Sequence, residues 1–176
     1  VFGKYGPSNC TMEQIANEAG VGVATVYRHF GDKDNLVWTF IEEMSPRTIA
    51  QNLLLEVSDD ITSELKNFAI AILPSFYENR DIMRLILANH QAEKAYIDRL
   101  RKGSDKVLDL LANYFQSQIR VGALQDIAKP QELALTFMGM IFSFTVIAPV
   151  HHGIELDDTE RIGSLIVQIF LDGIKT

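Results

Sequence analysis

Tyr27, Arg28 and His29 stand side by side in this 176-residue sequence, one residue, Val26, after Gly22, Val23, Ala24 and Thr25. The first three can give hydrogen bonds or charge to an anion. The four before them are small or β-branched and leave room for a close approach. That pairing suits the surface of a DNA duplex. Small side chains on the first turn of a helix let its backbone come near base edges in the major groove, where the thymine methyl is an apolar target; Thr25 offers both a hydroxyl and a methyl. Tyr27 and His29 can donate to phosphate oxygens, and Arg28 adds a fixed positive charge. Lys33 follows at the start of a further helix. A cation there opposes the helix dipole unless an anion shares the place, bound by free backbone N–H groups and the ammonium together. Thr11, at another helix start, can hold a second phosphate.

Other chemistries find less support. Cys10 is the single cysteine, so an internal disulfide is excluded and a reducing compartment fits. No basic neighbour in the sequence activates its thiol. A Gly-rich phosphate loop, HExxH and GxSxG are all missing. The acidic pairs Asp59–Asp60 and Asp157–Asp158 fall where helices begin, and capping accounts for them; Asp157 and Glu160 have capping-box spacing. His151 and His152 are adjacent, and adjacent positions on a helix face different ways. No catalytic residue, metal ligand or cofactor is assigned, and the chain is not expected to be an enzyme. A composition of 47% hydrophobic and 22% charged residues is that of a soluble globular protein, and a net charge of −7 argues against general coating of nucleic acid. Residues 1–47 set Lys4, Arg28, Lys33 and Arg47 against six acidic side chains, so the few cations of a DNA reader must be well placed.

The elements that position these residues follow from the punctuation. Thr11 precedes an apolar pattern and Gln14 sits three residues on, a capping-box spacing; Cys10 and Ile15 fall where a hydrophobic staple sits. Gly20 suits the left-handed position that ends this helix. Gly22 caps a short second helix over about 23–29, with Val26 and Phe30 turned inward. Asp32 caps a third, whose inward stripe is Leu36, Val37, Phe40, Ile41 and Met44. Helix, glycine-containing turn and short helix is helix-turn-helix spacing, in which the second helix enters the major groove. Val1 and Phe2 complete an apolar stripe, so we expect a first helix and native sequence upstream. "SPR" at 45–47 marks the joint between an N-terminal unit, 1–46, and a C-terminal unit, 47–176.

The remainder reads as helices over about 47–56, 60–78, 80–89, 91–121, 130–148 and 157–174, with no period-2 strand pattern. Residues 133–150 carry no charge. Their length is that of a membrane span, but Thr136, Gly139, Ser143, Thr145 and Pro149 interrupt them, and a helix buried on several sides looks the same. No membrane is expected. The last helix is also apolar over a wide face. Two such helices need more partner surface than one small bundle supplies, which points to symmetric four-helix packing between two copies, with Phe142, Ile162, Leu165, Ile166, Ile169 and Phe170 as its interface.

The string "TMEQIANEAGVGVATVYRHFGDKDNL" is highly specific. In its Thr, Ile-Ala, Ala-Gly-Val, Thr-Val-Tyr, His-Phe and Lys-x-x-Leu, residues 10–44 resemble the DNA-binding domain of the TetR family of bacterial transcription regulators. "FGKYG" resembles the tail of that family's first helix. The family usually has Ser where Gly22 stands, so a side-chain cap is missing here. The count of later helices and the closing "FLDGI" resemble the family's ligand-binding and dimerisation domain. The resemblance implies an all-α, homodimeric, cytoplasmic regulator, nucleoid-associated when bound, that recognises a palindromic operator through Thr11, Gly22, Val23, Ala24, Thr25, Tyr27, Arg28, His29 and Lys33. It further implies repression relieved by a small molecule that respaces the two reading heads. Aromatic and methionine side chains adapt to apolar ligands, which makes Phe76, Tyr77, His90, Tyr96, Tyr114, Phe115, Phe137, Met140 and Phe144 the candidate pocket for an apolar or aromatic effector. Two rivals stay open: a DNA-bound adaptor that recruits a protein and has no small effector, and a helical carrier or enzyme that keeps a non-functional head.

Overall fold

The computed structural model describes residues 1, 10–43, 60–81, 83–84 and 94–175, by backbone alone at 41–43 and 94–105. Among these residues the regular elements are helices: α1 (Met12–Glu18), α2 (Val23–Phe30), α3 (Lys33–Glu43), α4 (Ile61–Glu78), α5 (Lys94–Arg120), α6 (Pro130–Phe142), a π-helical segment (Ser143–His152) that continues α6, and α7 (Thr159–Asp172). One isolated antiparallel bridge joins Leu124 to Lys175. The expected helix at 47–56 and most of that at 80–89 lie outside the described residues, as does the 46/47 boundary.

Two separate apolar clusters form. Cys10, Met12, Ala16, Val26, Leu36 and Val37 are buried together, with Val1, Ile15, Phe30 and Phe40 packed against them. The second cluster draws on α4, α5, α6 and α7, where α4 packs along α7 and α5 along α6. Its centre is aromatic: the ring centroids of Phe137 and Phe170 lie 5.0 Å apart, those of Phe115 and Phe170 5.3 Å, and Phe68 is fully buried beside Phe137. On α5, the Tyr114 hydroxyl donates to the Glu64 carboxylate; burial first, and that bond second, push its pKa far up. Gln118, one turn on, is fully buried beside Tyr114, and its amide has no hydrogen bond of good geometry.

Helix ends follow the capping residues with one correction. Asp60 accepts from the Ser63 N–H; hydrogen bonding by the Ser63 side chain first, and by that N–H second, holds its carboxyl below the usual range. At α7 the cap is Asp158, which accepts from the Arg161 N–H at 2.9 Å; Asp157, expected to cap, reaches the Arg161 guanidinium at 3.2 Å instead. The apolar run also winds further than expected. The chain stays helical through Pro149 to His152, as a π-helix. Proline has no N–H and its ring crowds the carbonyl four residues back, so the wider i→i+5 winding accommodates it. The combined helix Pro130–His152 is long and apolar enough to cross a membrane, yet a third of it is buried, and Thr145 is buried with its hydroxyl donating to the Ile141 carbonyl.

The expected subunit interface on the last helix divides in two. Ile162, Ile166 and Phe170 face inward and belong to the chain's own core, at 6%, 0% and 6% exposure, because positions i, i+4 and i+8 fall on the side turned to α4. Leu165 and Ile169 remain exposed, and Phe142 is partly covered, its ring edge-on to Phe76. Gly163 lets α7 approach α4: a Cβ there would lie 2.9 Å from Ile70 Cγ1 and 3.4 Å from its backbone N. Gly163→Ala should therefore lower stability by about 1 kcal/mol in denaturant melts, since overpacking costs ~1–3 kcal/mol against a helix-propensity gain of ~1 kcal/mol. A more stable variant would contradict this packing.

Candidate nucleic-acid interface

The N-terminal unit is built from short helices pinned by caps and glycines. Thr11 and Gln14 form a reciprocal box: the Gln14 N–H donates to the Thr11 hydroxyl at 3.2 Å, and the Thr11 N–H donates to Gln14 Oε1 at 2.9 Å. Cys10, just before, is buried, and burial raises its thiol pKa. Gly20 ends α1 at φ +68°, a left-handed conformation that favours glycine, and the Val21 N–H returns to the Ala16 carbonyl. Gly22 caps α2 with extended backbone (φ −68°, ψ 139°) and no side-chain bond.

On α2 the buried side chain is Val26, with Phe30 half-buried behind it. Gly22, Val23, Ala24, Thr25, Tyr27, Arg28 and His29 are all exposed, as is Thr11. The His29 ring lies edge-on to Phe30, 4.9 Å between centroids. One face of an eight-residue helix thus holds it to the domain, and the rest is presented outward.

Lys33 is placed differently from the other site residues. It is half-buried, and its ammonium donates to the Cys10 carbonyl at 3.2 Å. Cys10 immediately precedes Thr11, so this contact ties the first residue of α3 to the start of α1. Sequence reasoning put Thr11 and Lys33 at two separate phosphates; the fold brings them to one place. An ammonium has three donors, so a bond to a carbonyl does not by itself exclude an anion.

The family model described as "Bacterial regulatory proteins, tetR family" matches residues 1–38. An HTH-type transcriptional regulator of Bacillus subtilis (strain 168) is 23% identical over 155 residues, 88% of this chain and 78% of that protein. Residues 1–38 thus match the TetR family, and the chain is similar to HTH-type transcriptional regulators. HTH-type regulators of Staphylococcus aureus, such as that of strain USA300, match over 99 residues at 29% identity; the match spans about half of their length, 52%. Among solved structures, the fatty acid degradation regulator FadR from Bacillus halodurans superposes with a TM-score of 0.81 at 16% identity, covering 98% of this chain and 93% of that one. SmeT, the repressor of the Stenotrophomonas maltophilia multidrug efflux pump SmeDEF, does so with a TM-score of 0.74 at 19% identity, covering 99% and 85%. These superpositions show the TetR-family fold. The matched residues 1–38 include α2, which makes α2 the element to weigh for base contact.

Among the described residues the candidate effector side chains do not gather around one cavity. Phe115 and Phe137 are fully buried against each other and Phe170, and Tyr114 is bonded to Glu64; they fill the core instead of lining a space, because three aromatic helix faces meet there. Phe76, Met140 and Phe144 pack on its edge. Tyr77 is a clasp: its hydroxyl donates to Glu155, which raises its pKa, and the Arg80 guanidinium sits 4.1 Å over its ring. His90 and the Tyr96 side chain lie outside what the structure describes. A cleft of about 230 Å³ opens between the π segment and the start of α7, with Phe144, Ile154, Leu156, Ile162 and Leu165 as its apolar wall. Of the candidates, Phe144 reaches it. Sequence reasoning missed two residues: Val21, 44% exposed beside the first turn of α2, and buried Gln118. The first was legible as an apolar residue in a turn. The second was not, since a glutamine on a long helix ordinarily reads as surface.

Two substitutions check this geometry. Gly22→Ser should raise stability by about 0.5 kcal/mol, because Ser caps slightly better than Gly and a Cβ there meets nothing nearer than Thr25 Oγ1 at 4.0 Å. Lys33→Ala removes a tie and a cation together. It should cost about 1–2 kcal/mol of stability and, at a temperature where the variant is folded, weaken all duplexes alike and reduce the salt slope by about 1.

Proposed function

We propose that this chain is a homodimeric repressor that occupies a palindromic operator and leaves it when a small apolar or aromatic molecule binds the C-terminal unit. The observation that carries the DNA half is the exposed first turn of α2, held outward by the burial of Val26 on its opposite side. The dimer half is supported by apolar side chains that this chain leaves uncovered: Leu135 on α6, Ile147 on the π segment, and Leu165 and Ile169 on α7, at 62%, 37%, 36% and 57% exposure. Pairing the two helices with their copies in a four-helix arrangement covers them. Such a protein works in the bacterial cytoplasm.

The effector half rests on resemblance. FadR from Bacillus halodurans is a fatty acid degradation regulator and SmeT is the repressor of a multidrug efflux pump, and a small-molecule effector for this chain is the reading we carry over from them. One observation favours the adaptor reading. The described core is closed by Phe68, Phe115, Phe137 and Phe170, so a roomy site has to draw on other residues. A thermal-shift panel of lipophilic and polar compounds separates the two: stabilisation by lipophilic compounds, with loss of operator binding, supports the effector, and no response to any compound supports the adaptor.

The dimer has its own test. Ile169→Glu adds a charge to a residue already in water in the single chain, so the fold should persist while sedimentation shows monomers. Operator affinity should then fall at least 100-fold, because a specific palindrome is held by two heads whose half-site centres lie about 34–36 Å apart, or multiples of that. A dimeric Ile169→Glu with full affinity would sink the assignment.

A further inference from the structure

The reading face is apolar where many DNA readers are polar. Val21, Val23 and Tyr27 are 44%, 37% and 45% exposed at one end of α2, with Ala24 exposed beside them. Large apolar side chains left together in water mark a contact surface. The residues that are missing matter equally. Guanine is read by Arg or Lys, and adenine by Asn or Gln, through paired hydrogen bonds in the major groove. None of these occurs in residues 20–25, whose one polar side chain is Thr25. Arg28, one turn beyond Ala24, is the single side chain on α2 suited to such a pair.

Gly22 adds an independent point. Its φ of −68° suits any residue, and a Cβ built there would find open space except for Thr25 Oγ1 at 4.0 Å. Nothing inside the protein requires glycine at this position. What the missing side chain does provide is room on the outside, at the place where a duplex would approach.

The major-groove feature that matches an apolar, hydrogen-bond-poor surface is the C5 methyl of thymine. We propose that the reading head selects its operator chiefly through thymine methyls, packed against Val21, Val23, Ala24 and the Thr25 methyl, with Gly22 allowing the backbone close. This rests on the reading of α2 as the DNA-contacting helix. Each half-site then carries a cluster of thymines under the first turn of α2, and a guanine where Arg28 reaches.

The test begins by enriching duplexes from a random pool with the full chain. Each thymine of the enriched duplex is then replaced singly by deoxyuridine, which removes the methyl and leaves the base pair intact. At least two positions per half-site should weaken about four-fold, or ~0.8 kcal/mol at 1.4 kcal/mol per decade, the worth of one buried apolar carbon. Deoxyuridine elsewhere should be silent. In Val23→Thr, which exchanges a methyl for a hydroxyl at nearly constant shape, one of these penalties should shrink below two-fold. Where cytosine is placed at a sensitive position, 5-methylcytosine should bind better than cytosine. Silent deoxyuridine at every position, or G·C pairs under the first turn, overturns the inference while DNA binding stands. Enrichment of no duplex at any salt concentration overturns the reading of α2 and the inference with it.

Discussion

A helix of eight residues does not hold itself in water, because nucleation is costly and few hydrogen bonds follow it. Everything that α2 presents to the outside depends on how it is docked. Val26 supplies the buried contact and Phe30 the half-buried one, set in a cluster of Cys10, Met12, Ala16, Leu36 and Val37. Because the anchor occupies one side, Ala24, Thr25, Tyr27 and Arg28 are left on the others. The same constraint limits what the helix can read: a side chain used for docking is not available to DNA.

The turns around α2 set its direction, and Lys33 sets its surroundings. Gly20 and Gly31 take positive φ before and after α2, where a Cβ would be strained. The ammonium of Lys33, bonded to the Cys10 carbonyl, joins the start of α3 to the start of α1. A residue that reads in the sequence as a simple phosphate cation is therefore a brace within the N-terminal unit.

The C-terminal unit is governed by the width of its apolar faces. The aromatic side chains of α4, α5, α6 and α7 meet in one closed centre, and Gly163 allows α7 close enough to α4 to seal it. What the core does not use stays outside: Leu135 and Ile169 are more than half exposed. An outward apolar stripe on two adjacent helices marks a contact surface. Effector chemistry is written less plainly, since the same aromatic residue types serve core and pocket alike.

Local chemistry was legible from the sequence alone. The Thr11–Gln14 box, the left-handed Gly20, the cap by Asp60 and the short second helix each depend on residues within a few positions of one another, and their spacing carries the information. The family resemblance was legible for the same reason, in one dense string of such local signals. Distance in sequence hid the rest. That Lys33 reaches a carbonyl 23 residues back, that Ile162, Ile166 and Phe170 turn inward while Leu165 and Ile169 turn outward, and that Phe115 and Phe137 fill a core all depend on which helix lies against which. An amphipathic pattern states that a face must be covered; only the packed tertiary structure decides what covers it.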